Sequence, residues 1–136
     1  MASVLCMIRL VLTLSALLMC LSANAARLNY ESYYQDIAAA KYKGEKEVIM
    51  PDGTRCDIVT ATHAIELDFA DKWAESIGQA LYYGFQTNKR AGILLILEDP
   101  KDRRHLLKVQ SVIEHYELPI DVLPLKAWEI EDKGQG

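Results

Sequence analysis

The chain has 136 residues, 51% hydrophobic and 25% charged, with 15 Lys and Arg against 19 Asp and Glu, a net charge of −4. That length points to one domain, and the acidic balance argues against a protein whose whole surface grips a polyanion. Its three cysteines, Cys6, Cys20 and Cys56, have no spacing with histidine that suits a structural zinc site.

Residues 1–25 carry one charge, Arg9, ahead of the apolar run from Val11 to Leu21, and close on Ser22-Ala23-Asn24-Ala25. Small residues at the two positions a signal peptidase reads predict a cleavable secretory signal, cut after Ala25. The expected product is a single exported domain, residues 26–136, periplasmic or secreted and without a membrane anchor after cleavage. Cys6 and Cys20 would leave with the signal, so no intrachain disulfide is expected. Cys56, inside the stretch Cys56-Asp57-Ile58-Val59, reads as a packed core thiol.

Tyr30 to Tyr42 suits a first helix, stopped at Gly44. Glu47 to Met50 reads as a short strand, and Pro51-Asp52-Gly53 as the turn into a second strand from Thr54 to Thr60. His63 to Phe69 forms a third. Asp71 is placed to cap a helix from Lys72 to about Phe85. Ala91 to Leu97 is a continuous apolar run, the signature of a strand covered on both faces. Pro100 opens a helix to about Tyr116, and Leu118 to Leu123 gives a last strand before a charged tail. The order αβββαβαβ predicts an α/β fold, a mixed central sheet with flanking helices.

Period two puts Arg55, Asp57 and Val59 on one face of the second strand, with Cys56 and Ile58 on the other. On the third it groups Ala64, Glu66 and Asp68 against Ile65, Leu67 and Phe69. If these strands are neighbours, three carboxylates approach one another. A solvated strand face would accept them, and so would a divalent cation, because hard oxygen ligands suit Mg²⁺ or Mn²⁺. On the next helix Lys72, Gln79 and Tyr83 fall on one line, with Trp73, Ile77, Ala80, Leu81 and Gly84 on the expected core side.

Asp57, then Glu66-Leu67-Asp68, then Gln79-Ala80-Leu81-Tyr82-Tyr83 resembles the PD-(D/E)XK nuclease superfamily, and within it the RecB-like branch with its Asp, E-x-K and Q-x-x-x-Y motifs. The stretch from Asp52 to Tyr83 is also similar to a family of small exported bacterial proteins of uncharacterised function. The resemblance implies a restriction-endonuclease-like αβββαβ core over roughly residues 30–98. It implies that Asp57 and Glu66 hold Mg²⁺ or Mn²⁺ with the Leu67 carbonyl, and that Gln79 and Tyr83 orient the acids or touch the nucleic-acid backbone. The substrate it implies is DNA, with RNA second.

Asp68 stands where the family has its lysine, giving E-x-D. Lys72 is the expected replacement, an amine supplied from the adjacent helix, with Asp68 a further metal ligand. The catalytic set expected is therefore Asp57, Glu66, Asp68 and Lys72. The alternative is a catalytically inactive module that keeps the nuclease fold to bind nucleic acid or a protein partner. Glu31, Glu47 and His63 are expected as ordinary surface residues, and the basic run Lys101, Arg103, Arg104, His105 and Lys108 as a solvated helix face.

Overall fold

In the computed structural model, which describes residues 26–131, helix α1 (Glu31–Tyr42) leads into strands β1 (Glu45–Ile49), β2 (Arg55–Val59) and β3 (His63–Phe69). A 3₁₀ turn (Ala70–Lys72), α2 (Trp73–Thr87), β4 (Arg90–Leu97), a second 3₁₀ turn (Pro100–Asp102), α3 (Arg103–His115), β5 (Ile120–Lys126) and α4 (Ala127–Glu131) follow. The expected secretory signal lies outside the described residues. Among those residues no helix is long and apolar enough to cross a membrane.

The five strands form one mixed sheet in sequence order. β1, β2 and β3 are joined antiparallel, β3, β4 and β5 parallel. The expected α/β class and strand count therefore hold. Because β3, β4 and β5 advance in one direction, right-handed crossovers put α2 and α3 on the same face. One core cluster accordingly contains Ala80 from α2 and Val109 from α3 with Ile93, Leu95 and Leu97 of β4. The other face of β4, Leu94 and Ile96, packs with Tyr34 and Ala38 of α1 and with Ile65, Leu67 and Phe69 of β3. Burial on both sides is why β4 reads as an unbroken apolar run.

Two boundaries differ from the sequence expectation. The last strand runs later, to Lys126, and the supposed charged tail begins with α4, whose Ala127 is buried and whose Trp128 and Ile130 pack on the two clusters. Asp71 does not cap α2. The 3₁₀ turn moves the helix start to Lys72, which makes no side-chain cap, and Asp71 instead pairs with Arg27 at 2.6 Å. Arg27 also lies over the Phe69 ring, 3.9 Å from its centroid. Beside it, Glu98 Oε1 accepts hydrogen bonds from the backbone N–H of Leu28 and Asn29 and from the Tyr34 hydroxyl. The start of the described chain is thus fastened to the end of β4.

The β1–β2 hairpin turns at Gly53, whose φ of 84° favours glycine. Asp52 accepts from the backbone N–H and hydroxyl of Thr54, and α2 reaches this turn through the Tyr82 hydroxyl, which donates to Asp52. Where α1 hands over to β1, a Cβ on Gly44 would collide with Cγ2 of Ile58, a fully buried β-branched side chain that cannot swing away. Gly44→Ala is expected to cost about 1–3 kcal/mol of stability, measured by urea unfolding.

Candidate functional site: a buried carboxylate cluster

β2 and β3 pair only at Ile58 with Ile65 and Val59 with Ala64. The ladder stops at Asp57, and on the other side the β1–β2 register skips the pair that Asp57 would make with Glu47. Glu47 takes a left-handed φ of 57°, uncommon for a non-glycine residue. The pleat resets across this point, which corrects the expectation that Cys56 and Ile58 share a face. Cys56 is buried with Met50, Ala64 and Tyr83, while Ile58 is buried with Tyr34 and Ile65.

Freed from the ladder, Asp57 uses its side chain as a strand acceptor, and the Leu67 backbone N–H donates to Oδ2 at 2.8 Å. Gln35 on α1, itself buried, donates from Nε2 to the Asp57 carbonyl at 3.0 Å and to Glu47 Oε1 at 2.7 Å. Arg55 holds the other Glu47 oxygen at 2.8 Å. The break in β2 is therefore fully tied down.

Glu66 and Asp68 share the α2 face of β3 as period two requires, each only 6% exposed. Burial pushes the Glu66 carboxyl up to about 9, with the charges of Asp57 and Asp68 adding to it. Burial raises Asp57 to about 6 against the opposing Leu67 N–H, and raises Asp68 to about 6 against the opposing Lys72. Glu31 pushes all three upward, and Glu47 pushes Asp57 and Glu66. Glu31 and Glu47 thus belong to the electrostatics of the site, although the sequence marks them as ordinary surface acids. Glu66 Oε2 is buried without a hydrogen-bond partner, a costly state for a carboxylate oxygen.

The helix contributes unevenly. Lys72 Nζ lies 3.9 Å from Asp68 Oδ1, and Ser76, fully buried, donates to Asp68 Oδ2 at 3.3 Å. The buried face of α2 is Ser76, Ala80, Tyr83 and Gly84. Tyr83 is consequently not on an open polar line with Lys72 and Gln79. Its ring packs on Met50, Cys56 and Ala64, and burial, with the charge of Glu66 adding to it, pushes its hydroxyl above the ordinary tyrosine value. Gln79 is exposed. The fold therefore gathers Asp57, Glu66, Asp68 and Lys72, walls them with Tyr83, and leaves Gln79 at the surface.

Gln35 and Ser76 are the site residues that motif reading misses. Ser76 had a usable signal, since it sits one helical turn after Lys72. Gln35 had none, because its role depends on the break in β2.

Among the described residues no three Asp, Glu, His or Cys side chains are set together as a ready metal cage. The donor chemistry nonetheless suits a hard divalent cation, and the unpartnered Glu66 Oε2 beside Asp57 is where such a cation would relieve both the desolvation and the repulsion.

The remaining candidates are structural. Burial pushes the Cys56 thiol up to about 12, so it stays protonated. His63 is not a free surface residue. Its Nε2 lies 2.8 Å from Asp121 Oδ2, and Arg90 grips the same carboxylate through Nε at 2.6 Å and Nη2 at 2.7 Å. Arg90, with His63 assisting, holds the Asp121 carboxyl down to about 2. This clamp sits at the opposite end of β3 from Asp68.

A raised carboxyl in the folded state binds protons that the unfolded chain has released, so stability falls as pH rises between the two values. For the metal-free chain, Asp57 and Asp68 put that loss between about 4 and 6 and Glu66 extends it to about 9. Melting curves in EDTA are expected to show a midpoint that declines from pH 6 to pH 9, and Glu66→Gln should flatten that decline.

No protein-family model, curated protein or solved structure matches this chain.

Proposed function

We propose that this chain is an exported metal-dependent nuclease of the PD-(D/E)XK type, RecB-like branch, hydrolysing phosphodiester bonds in DNA in preference to RNA. The observation that carries the reading is Glu66, buried beside Asp57 with one oxygen unpartnered, at a point where β2 has peeled away from β3. The element order from α1 to β4 is the αβββαβ order that this resemblance implies. Asp57 and Glu66 are the residues that would hold Mg²⁺ or Mn²⁺. When bound, the metal would supply an activated water and offset charge growing on the phosphate.

The chain's own residues prepare that step. The Leu67 N–H fixes the orientation of Asp57, leaving its second oxygen for a ligand. At neutral pH Glu66 keeps its proton in the metal-free chain and would exchange it for the cation. Asp68, held by Ser76, draws the Lys72 ammonium toward the site, so E-x-D and Lys72 together replace the E-x-K amine. Tyr83 closes the wall behind Glu66, and Gln79 is available to a nucleic-acid backbone at the surface.

A second reading, a binding module without catalysis, draws on two observations: Asp68 occupies the lysine position, and among the described residues no three Asp, Glu, His or Cys side chains are set to hold a metal together.

The chain of residues 26–136, containing every described element, should nick plasmid DNA with Mg²⁺ or Mn²⁺ and not with EDTA. Asp57→Asn and Glu66→Gln are each expected to lower the rate at least about a hundredfold. Lys72→Ala should lower it about a hundredfold in a chain that circular dichroism shows still folded. Full activity in Lys72→Ala would remove that lysine from the reaction. A folded wild-type chain that cleaves nothing under any of these metals would leave the binding-module reading. As a readout independent of cleavage, saturating Mn²⁺ should raise the melting temperature of the wild type and not of Glu66→Gln.

A further inference from the structure

The cations of this acidic protein are not evenly committed. Arg27, Lys46, Arg55, Lys72, Arg90 and Lys126 each pair with a carboxylate, and Lys89 is spent on the carbonyls of Thr60 and Ala61. Lys41 and Lys43 sit at the C-terminal end of α1, where cations suit the helix dipole. Lys101, Arg103, Arg104 and Lys108, by contrast, are exposed and make no ion pair among the described residues, Arg104 donating only from Nε to the neighbouring His105 at 3.1 Å.

Three of these continue into a line. Arg104, Lys108, Ser111 and His115 recur at intervals of four, three and four, the spacing of a single helical stripe, and Lys101 enters it from the preceding turn. Every member is exposed. The stripe ends on Tyr116, 68% exposed and set edge to face against His115 at 4.7 Å. Its other end lies toward the carboxylate cluster: α3 packs on the Ala70–Lys72 turn, His105 acts on Asp71, and the next residue, Lys72, pairs with Asp68. Unspent cations in a row that finish on an exposed aromatic ring are what a flexible polyanion with flat bases requires.

We infer that the outer stripe of α3, from Lys101 through Arg104 and Lys108 to Tyr116, is the surface on which single-stranded nucleic acid lies. The three cations hold successive phosphates and Tyr116 stacks a base. The strand runs from the far end of α3 toward Lys72. That the polyanion is nucleic acid rests on the nuclease reading; the free cations and the exposed ring do not.

The test is fluorescence anisotropy of a labelled oligothymidylate with the chain of residues 26–136 in EDTA, where no cleavage can occur, over a series of KCl concentrations. Lys101→Ala/Arg104→Ala/Lys108→Ala is expected to weaken binding more than tenfold and to make the plot of log affinity against log salt shallower by about 2. Tyr116→Ala should weaken it about fivefold or more at an unchanged slope. All four side chains are exposed, and an unchanged melting temperature verifies that each variant is folded. Wild-type affinity and slope in the triple variant would overturn the inference. So would a wild type that ignores the oligonucleotide yet binds phosphatidylserine vesicles through these residues. A wild type that binds through α3 and never cleaves would sink the nuclease reading and leave this surface standing.

Discussion

Burying Glu66 on β3, the strand where the sheet changes from antiparallel to parallel pairing, is the constraint to which the surrounding structure answers. A carboxylate there is costly whether it is charged and desolvated or neutral and unpartnered. Burial raises all three carboxyls; Asp57 and Asp68 add to the rise at Glu66, and Asp68 to that at Asp57. The neighbouring contacts read as responses. Gln35 secures the backbone where β2 leaves the ladder, the Leu67 N–H steadies Asp57, and Ser76 and Lys72 steady Asp68. Glu66 alone receives no such help at Oε2.

The sheet can carry this local cost because its rigidity is supplied elsewhere. β4 is buried on both faces and joins the two main clusters into one continuous interior. At the start of the parallel strands, Arg90, Asp121 and His63 tie β3, β4 and β5 across their ends through charge-assisted bonds. Cohesion is concentrated at one end of the sheet and polar cost at the other. That separation suits a protein whose site must hold acids that repel one another.

Much of this was legible in the sequence. The apolar run of β4, the Pro-Asp-Gly turn and the helical periodicities of α1 to α3 follow from local rules, and the α/β class follows from their order. The grouping of Glu66 with Asp68 came from strand alternation alone. Alternation failed at Asp57, because a pleat reset and a left-handed Glu47 are properties of three strands meeting, invisible in one. Tyr83 was misplaced because a residue's position on a helical wheel says which way it points and nothing about what stands opposite. A hairpin carrying Met50 and Cys56 stood there. Asp71 has a good capping side chain but follows a strand so closely that a 3₁₀ turn absorbs it. α4 was hidden by the charges around Trp128, which packs half-buried against the cluster that α2 and α3 share with β4.

The attachment of residues 27–29 to Glu98 and Asp71 has a geometric consequence. β3, β4 and β5 all point the same way, and α4 leaves directly from the far end of β5. Both ends of the described fold therefore emerge at the pole where β3 delivers Asp68 and the following turn delivers Lys72. Held by either end, to a bead, a fusion partner or a surface, the domain turns its carboxylates toward the anchor and the clamp of His63, Arg90 and Asp121 away from it. Orientation on a support is thus set by the topology, and a spacer on either end governs how freely large molecules approach the acids.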